Sequence, residues 1–195
     1  MSEEGKTIKE IFNQTRGIFK DVSLLLRTVE EQMTKEEWEA PTTTATAGGS
    51  SAIQNPDAWL PYEVFRFFYN NEEHPNFLVF VSVLLDTPRK KEYEIDEPLI
   101  TAGFFDFGKT KVEYNNFSWD YSKWYGLLYK EVKKKGENVE YGHIISRKYE
   151  TQEQEEKKYP FQSVKCFAWP LTTIKNSADV ESKITKQLIQ LLQSV

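Results

Sequence analysis

The sequence predicts an α+β protein with a single antiparallel sheet of about five strands. A long N-terminal helix, a central helix and a C-terminal helix are expected to flank that sheet. Strand-like and helix-like segments come in separate blocks without regular alternation, which favours the α+β class. The aromatic residues are also concentrated: 19 of the 28 lie between residues 59 and 129. That concentration indicates where the packed body of the protein is.

Residues 1–39 are predicted to form an amphipathic helix that packs on the body or on a partner. Gly17 lies inside this helix at a cost of about 1 kcal/mol relative to alanine, so we expect packing to stabilise its turn. The apolar residues recur at spacings of three and four and form a stripe wider than a coiled-coil seam. These residues are Ile8, Ile11, Phe12, Ile18, Phe19, Val22, Leu25, Leu26, Val29 and Met33.

Residues 40–57 are predicted to be a flexible linker or loop. Pro41 ends the helix, and the small polar residues after it bury too little apolar surface to fold by themselves. A lid over a site and a disordered segment are the alternatives for a loop of this length. No Gly-Lys-Ser or Gly-Lys-Thr follows the glycines, which argues against a phosphate-binding loop.

Residues 58–195 are predicted to form an aromatic-rich α+β body, so that the chain has one domain overall. Strands are expected near residues 62–69, 77–85, 99–107, 141–149 and 161–169. Short connections join the first three, which favours an antiparallel meander, because parallel neighbours need much longer crossovers. The segment 77–85 is apolar on both faces, as expected of a central strand.

Two more helices are predicted within the body. The central one begins near Ser118 and ends near Gly136, with lysines in its last turn. The C-terminal helix is expected to be capped by Ser177 and to bury a stripe that runs from Val180 to Leu192.

Composition excludes several classes of protein. The net charge of −5 makes a nucleic-acid partner unlikely, because binding phosphates requires a basic face. The single cysteine, Cys166, alternates with Val164 and Ala168 and is expected in the core of a protein from a reducing compartment. No apolar run approaches the ~18 residues of a membrane span, and the N-terminus lacks the apolar segment of a signal peptide. We therefore expect a soluble cytoplasmic protein with no membrane association.

Four residues of the body are candidates for ligand binding. Arg66 and Glu63 are charged positions on an otherwise apolar and aromatic strand, and a buried guanidinium requires a carboxylate. Asp106 is expected on the sheet face shared by Ile100, Ala102 and Phe104, so we hypothesise that it lies near Arg66. The alternatives are a structural ion pair and simple exposure. Trp124 offers a ring for stacking on a ligand, with a core position as the alternative.

The sequence contains no complete catalytic or metal-binding motif of a known kind. Asp106, Phe107 and Gly108 match the metal-binding tripeptide of protein kinases, but the other kinase motifs are missing. Two isolated histidines and one cysteine give no zinc spacing, so no cofactor is expected. The sequence thus predicts a non-catalytic interaction or ligand-binding protein. Its expected partner is a second copy bound through the N-terminal helix, or another protein. The alternative is a hydrolase-type or nuclease-type enzyme whose site assembles only in three dimensions.

Overall fold

A computed structural model describes residues 2–41, 46–47, 53–54, 60–86, 95–112, 128, 132, 140–150 and 160–195. The N-terminal helix, α1, is Glu3–Lys35. The strands are β1 (Thr46–Ala47), β2 (Glu63–Asn70), β3 (His74–Leu84), β4 (Leu99–Asp106), β5 (Ile145–Lys148) and β6 (Ser163–Pro170). The chain ends in a continuous helix, α2, built from an α-turn (Ser177–Asp179), a π-helical segment (Val180–Thr185) and a final α-helix (Lys186–Gln193).

All six strands belong to one antiparallel sheet in the order β1-β2-β3-β4-β6-β5. The predicted antiparallel meander of β2, β3 and β4 is confirmed. β6 then pairs with β4, and the short β5 forms the far edge. The predicted α+β class, with a single antiparallel sheet and helices at both ends of the chain, is therefore confirmed.

The two faces of the sheet bury two separate apolar cores. On the helix face, the sheet packs against the second half of α1 and against α2, with Phe68, Phe104 and Phe167 at its centre. On the opposite face, Phe67, Phe80 and Phe105 belong to a second buried cluster. β3 is buried on both sides from Phe77 to Leu84, as the apolar residues on both of its faces predict. The aromatic residues of the body are thus mainly core residues.

α1 ends four residues earlier than the sequence suggests. Glu37 adopts a left-handed backbone (φ 64°), its N–H donates to the Thr34 carbonyl, and the Trp38 N–H donates to the Met33 carbonyl. This pair of hydrogen bonds is the Schellman motif, which ends a helix without proline. Trp38 is then buried and stacks on His74, with ring centroids 5.5 Å apart. The chain therefore turns back onto the sheet before Pro41.

The start of α2 also differs from the prediction. Asn176, not Ser177, caps the helix, because its side-chain oxygen accepts hydrogen bonds from the N–H groups of Ala178 and Asp179. The predicted apolar stripe is confirmed, and its members are buried: Val180, Ile184, Leu188, Leu191 and Leu192. The π-helical turn was not predicted.

Two predicted segments are only partly described. The central helix expected at 118–136 lies outside the described residues except for Leu128 and Val132, which are helical and buried against the opposite face. Within 40–57, Thr46 and Ala47 pair with Val64 and Glu63 at the edge of the sheet. A strand at this position was not expected from its small polar residues.

Candidate functional site

The N-terminal half of α1 carries the most exposed apolar surface in the described part of the chain. Each helical residue advances by about 100°, so Ile8, Ile11, Phe12 and Ile18 lie on the face that Val22 continues. From Val22 onward this face is buried against the sheet and α2. Before Val22, Phe19 is partly buried against this core, but the other large apolar residues of the face are open: Ile8 is 57% exposed, Ile11 55%, Phe12 58% and Ile18 52%. One continuous apolar stripe is therefore covered in its second half only.

The exposed part of this stripe, here called the open stripe (Ile8, Ile11, Phe12, Thr15 and Ile18), is comparable in size to the largest apolar patch of a typical monomer. It belongs to residues 3–18 of α1, a segment of 16 residues that is about 24 Å long at 1.5 Å per residue. Its four large side chains present roughly 400 Å² of apolar surface, at about 100 Å² each. That is within the range of the largest patches of monomeric proteins, and such patches are often functional.

Gly17 itself lies on the side of α1 away from the apolar stripe. A methyl group added at Gly17 would meet no atom within 4 Å outside the local helix backbone. The Thr15 hydroxyl donates to the Ile11 carbonyl at 2.9 Å, and Ser2 caps the helix by accepting from the Gly5 N–H. Helices in water depend mainly on packing for their stability. The first turns of α1 are thus stabilised by local capping, and tertiary packing on the core begins with Phe19.

A groove continues from the open stripe towards α2. It has a volume of about 500 Å³ and lies between the middle of α1 and the segment that leads into α2. Its apolar wall is formed by Ile18, Val22, Leu25, Leu171, Ile174 and Val180. Asp21 and Lys175 stand at its polar side. The open stripe and this groove share Ile18, so they form one apolar surface.

Arg66, the first predicted site residue, faces α1 and is bound there. Its Nη2 lies 2.6 Å and its Nε 3.0 Å from Oε2 of Glu30. The Arg66 side chain is 10% exposed and that of Glu30 37%. The predicted need for a carboxylate is therefore met by the helix that covers the sheet. Sequence reasoning missed Glu30, although its place beside Val29 on the packed half of α1 was an available signal.

Asp106 lies on the helix face, as predicted, but it is not next to Arg66. Arg66 aligns with Val81 and Ala102, whereas Asp106 aligns with Phe77 at the end of β4. Four residues along the strands and two strands across separate the two by roughly 16 Å. Asp106 Oδ1 accepts hydrogen bonds from the Gly108 N–H at 2.7 Å and from Asn76 at 3.3 Å. Gly108 is left-handed (φ 65°), so the Asp-Phe-Gly sequence forms a turn.

Glu63 lies on the opposite face in a small buried polar cluster. It is 1% exposed and accepts a hydrogen bond from the Ser82 hydroxyl. Thr101 is aligned with Ser82 on the neighbouring strand and is fully buried. Its hydroxyl has no hydrogen-bond partner in the structure. The strands thus bring Glu63 together with two hydroxyls and separate it from Arg66, which points to the other face.

The remaining site predictions have mixed outcomes. Trp124 lies outside the described residues. Cys166 is buried against the opposite face, which confirms its predicted core position. In the described part of the chain, no three histidine, cysteine, aspartate or glutamate side chains are placed to hold a metal ion. None of the described helices is long and apolar enough to cross a membrane.

Comparison with known proteins gives no further assignment. The chain matches no protein-family model, no curated protein and no solved structure.

Proposed function

We propose that this chain is a non-catalytic interaction protein that associates with a second copy of itself through the open stripe of α1. The observation that carries the proposal is the continuity of the apolar face along α1. Its second half packs on the chain's own sheet, and its first half is chemically the same but uncovered. An apolar face of this kind is stabilised by packing against another apolar surface.

A second copy fits this surface in both area and charge. Two open stripes would together remove roughly 800 Å² of apolar surface from water, and the polar rim brings the total near ~1,000 Å², the lower limit for a specific interface. Gln14 and Thr15, the polar residues closest to the middle of the stripe, are uncharged. Two identical surfaces can therefore meet there without opposing like charges.

The polar residues of the body support the non-catalytic part of the proposal. Arg66 is bound by Glu30, and Asp106 is used in a turn. Glu63 and Ser82 are at most 1% exposed, so a substrate has no direct access to their carboxylate and hydroxyl. Burial of Cys166, the only cysteine, is compatible with the cytoplasmic location that we propose for the protein.

The test is the oligomeric state of the full chain, measured by sedimentation velocity from about 1 to 100 μM, a range that covers micromolar affinities. Ile11→Asp places a charge in the open stripe and should yield monomers, because a buried unpaired carboxylate is costly. Asn13→Asp is the matched control. It introduces the same side chain into the same helix, but Asn13 is exposed on the side away from the stripe.

Three results support the proposal together: the wild type and Asn13→Asp are dimers, and Ile11→Asp is a folded monomer, with its fold checked by circular dichroism because loss of a dimer by itself lowers the melting temperature. A wild type that stays monomeric over the whole range contradicts the proposal. So does an Ile11→Asp protein that dimerises as tightly as the wild type.

A further inference from the structure

The second half of α1 is covered by the chain's own sheet and by α2, and this restricts the direction in which the α1 helix of a second copy can bind. From Val22 to Met33, the apolar face is occupied by the chain's own sheet and by α2. A parallel partner helix on the open stripe would continue onto that occupied face and collide with the sheet. An antiparallel partner helix would instead continue beyond the N-terminus of α1, where Ser2, Glu3 and Glu4 are exposed. Only the antiparallel direction leaves room for both bodies.

The spacing of the open stripe gives the register. Four of its five positions, 8, 11, 15 and 18, are separated by three, four and three residues, so their pattern reads the same in both directions about residue 13. A two-fold axis near residue 13 would place Ile8 opposite Ile18 of the second copy, and Ile11 opposite Thr15. The Thr15 hydroxyl is already bonded to the Ile11 carbonyl, so it can be buried without losing a partner.

We propose that two copies of this chain pair their open stripes antiparallel, with Ile8 of each facing Ile18 of the other. This inference rests on the proposed function and specifies its geometry. At each end of the pair, the first turn of one helix lies next to Val22 of the other. Val22 also lines the 500 Å³ groove. The dimer is isologous, since each copy contributes the same surface.

Disulfide cross-linking of engineered cysteines tests the direction. Cys166 is fully buried, so an exposed cysteine placed on α1 is the reactive thiol under mild oxidation. Three single variants are made in the full chain: Ile8→Cys, Phe12→Cys and Ile18→Cys. The variants at residues 8 and 18 are also mixed, one of them carrying a tag that changes its mobility on a non-reducing gel.

The expected result is a cross-linked heterodimer in the mixture and little cross-linking of either variant alone. In the antiparallel pair, the two copies of residue 8 are about 15 Å apart along the axis, beyond the ~7 Å limit between the Cα atoms of a disulfide. Phe12 lies close to the two-fold axis, so Phe12→Cys should cross-link with itself in either direction of pairing.

The outcomes separate the two proposals. If Ile8→Cys and Ile18→Cys each cross-link with themselves and the mixture gains nothing, the helices are parallel and the inference is overturned while self-association stands. If Phe12→Cys stays uncross-linked and monomeric at about 100 μM, self-association through α1 itself fails. Dimers that form without a cross-link at any of the three positions also overturn the antiparallel register.

Discussion

Arg66 and Glu30 join the sheet to the helix that covers it: both Nε and Nη2 of the guanidinium bind the same carboxylate oxygen, at 3.0 and 2.6 Å. Arg66 stands between Val64 and Phe68 on the helix face, where nearly every neighbour is apolar. Glu30 lies at the rim of that core and keeps about a third of its side chain in water. The cation is thus the buried partner and the carboxylate the solvated one.

This asymmetry predicts unequal effects of the two deletions. Glu30→Ala removes the carboxylate from a buried guanidinium and should lower the free energy of unfolding by about 2–3 kcal/mol. Arg66→Met leaves a carboxylate that water can solvate and replaces the cation with an apolar chain of similar length. It should cost about 1 kcal/mol or less. Urea unfolding followed by circular dichroism measures both values.

The double variant Glu30→Leu with Arg66→Met provides the control. Its cost should be smaller than the sum of the two single costs, because neither charge is then left without its partner. Equal costs for the two single deletions would show that the burial of Arg66 does not determine the energy of the pair.

The Glu63 cluster predicts opposite effects for two similar substitutions on neighbouring strands. Ser82→Ala removes the donor that binds a buried carboxylate and should destabilise the protein by about 2 kcal/mol. Thr101→Val removes a buried hydroxyl that has no partner and keeps the shape of the side chain. It should therefore be neutral or stabilising by up to about 1 kcal/mol.

Thermal and urea unfolding of the two variants test this pair of predictions. A Thr101→Val protein that is destabilised as much as Ser82→Ala would show that the Thr101 hydroxyl has a partner in solution.

The sheet was largely predictable and its contacts with the helices were not. The alternation of β2, the apolar residues on both faces of β3 and the short turns between the strands determine the strand pairs, because each rule is local. The partner of Arg66 depends on how α1 lies across the sheet, which the strand pattern does not encode. Asp106 was placed on the correct face, but its distance from Arg66 follows from the register of three strands.

The ends of the helices were not predicted, for a different reason. α1 ends at a left-handed glutamate, Glu37, where glycine is the common residue, so the sequence carried no stop signal before Pro41. The π-helical turn in α2 leaves no mark in the spacing of its apolar residues. The open stripe was visible as a periodic pattern, but only the structure distinguishes its covered half from its uncovered half.

Glu37 itself gives the third prediction. A non-glycine residue in the left-handed region costs about 1 kcal/mol, and Glu37 is an exposed residue whose backbone alone forms the cap. Glu37→Gly should therefore raise the free energy of unfolding by up to about 1 kcal/mol. Glu36→Gly is the matched control, because Glu36 has a negative φ of −98° and glycine gains nothing there. A gain of the same size at both positions would exclude the backbone explanation.

Tyr69 gives the last prediction, which concerns alkaline pH. The chain segment after α1 is held at the sheet by Glu39, whose backbone exchanges two hydrogen bonds of 2.9 Å with Tyr69. The Tyr69 hydroxyl also donates to the Glu39 carboxylate at 2.7 Å. This hydrogen bond, together with partial burial and the negative charge of Glu39, raises the pKa of Tyr69 above its ordinary value of about 10. In the unfolded chain the same phenol returns to that ordinary value.

A pKa that is higher in the folded state means that the folded protein holds this proton more tightly. The resulting stability is fully present below about pH 10 and is lost as the pH rises from there through the folded pKa. The stability difference between the wild type and Tyr69→Phe should therefore shift against the wild type as the pH rises above about 10. In absorbance titrations, the wild-type minus Tyr69→Phe difference should show a phenol with a midpoint above 10. Glu39→Gln should lower that midpoint, and an unchanged midpoint would show that Glu39 does not set the pKa of Tyr69.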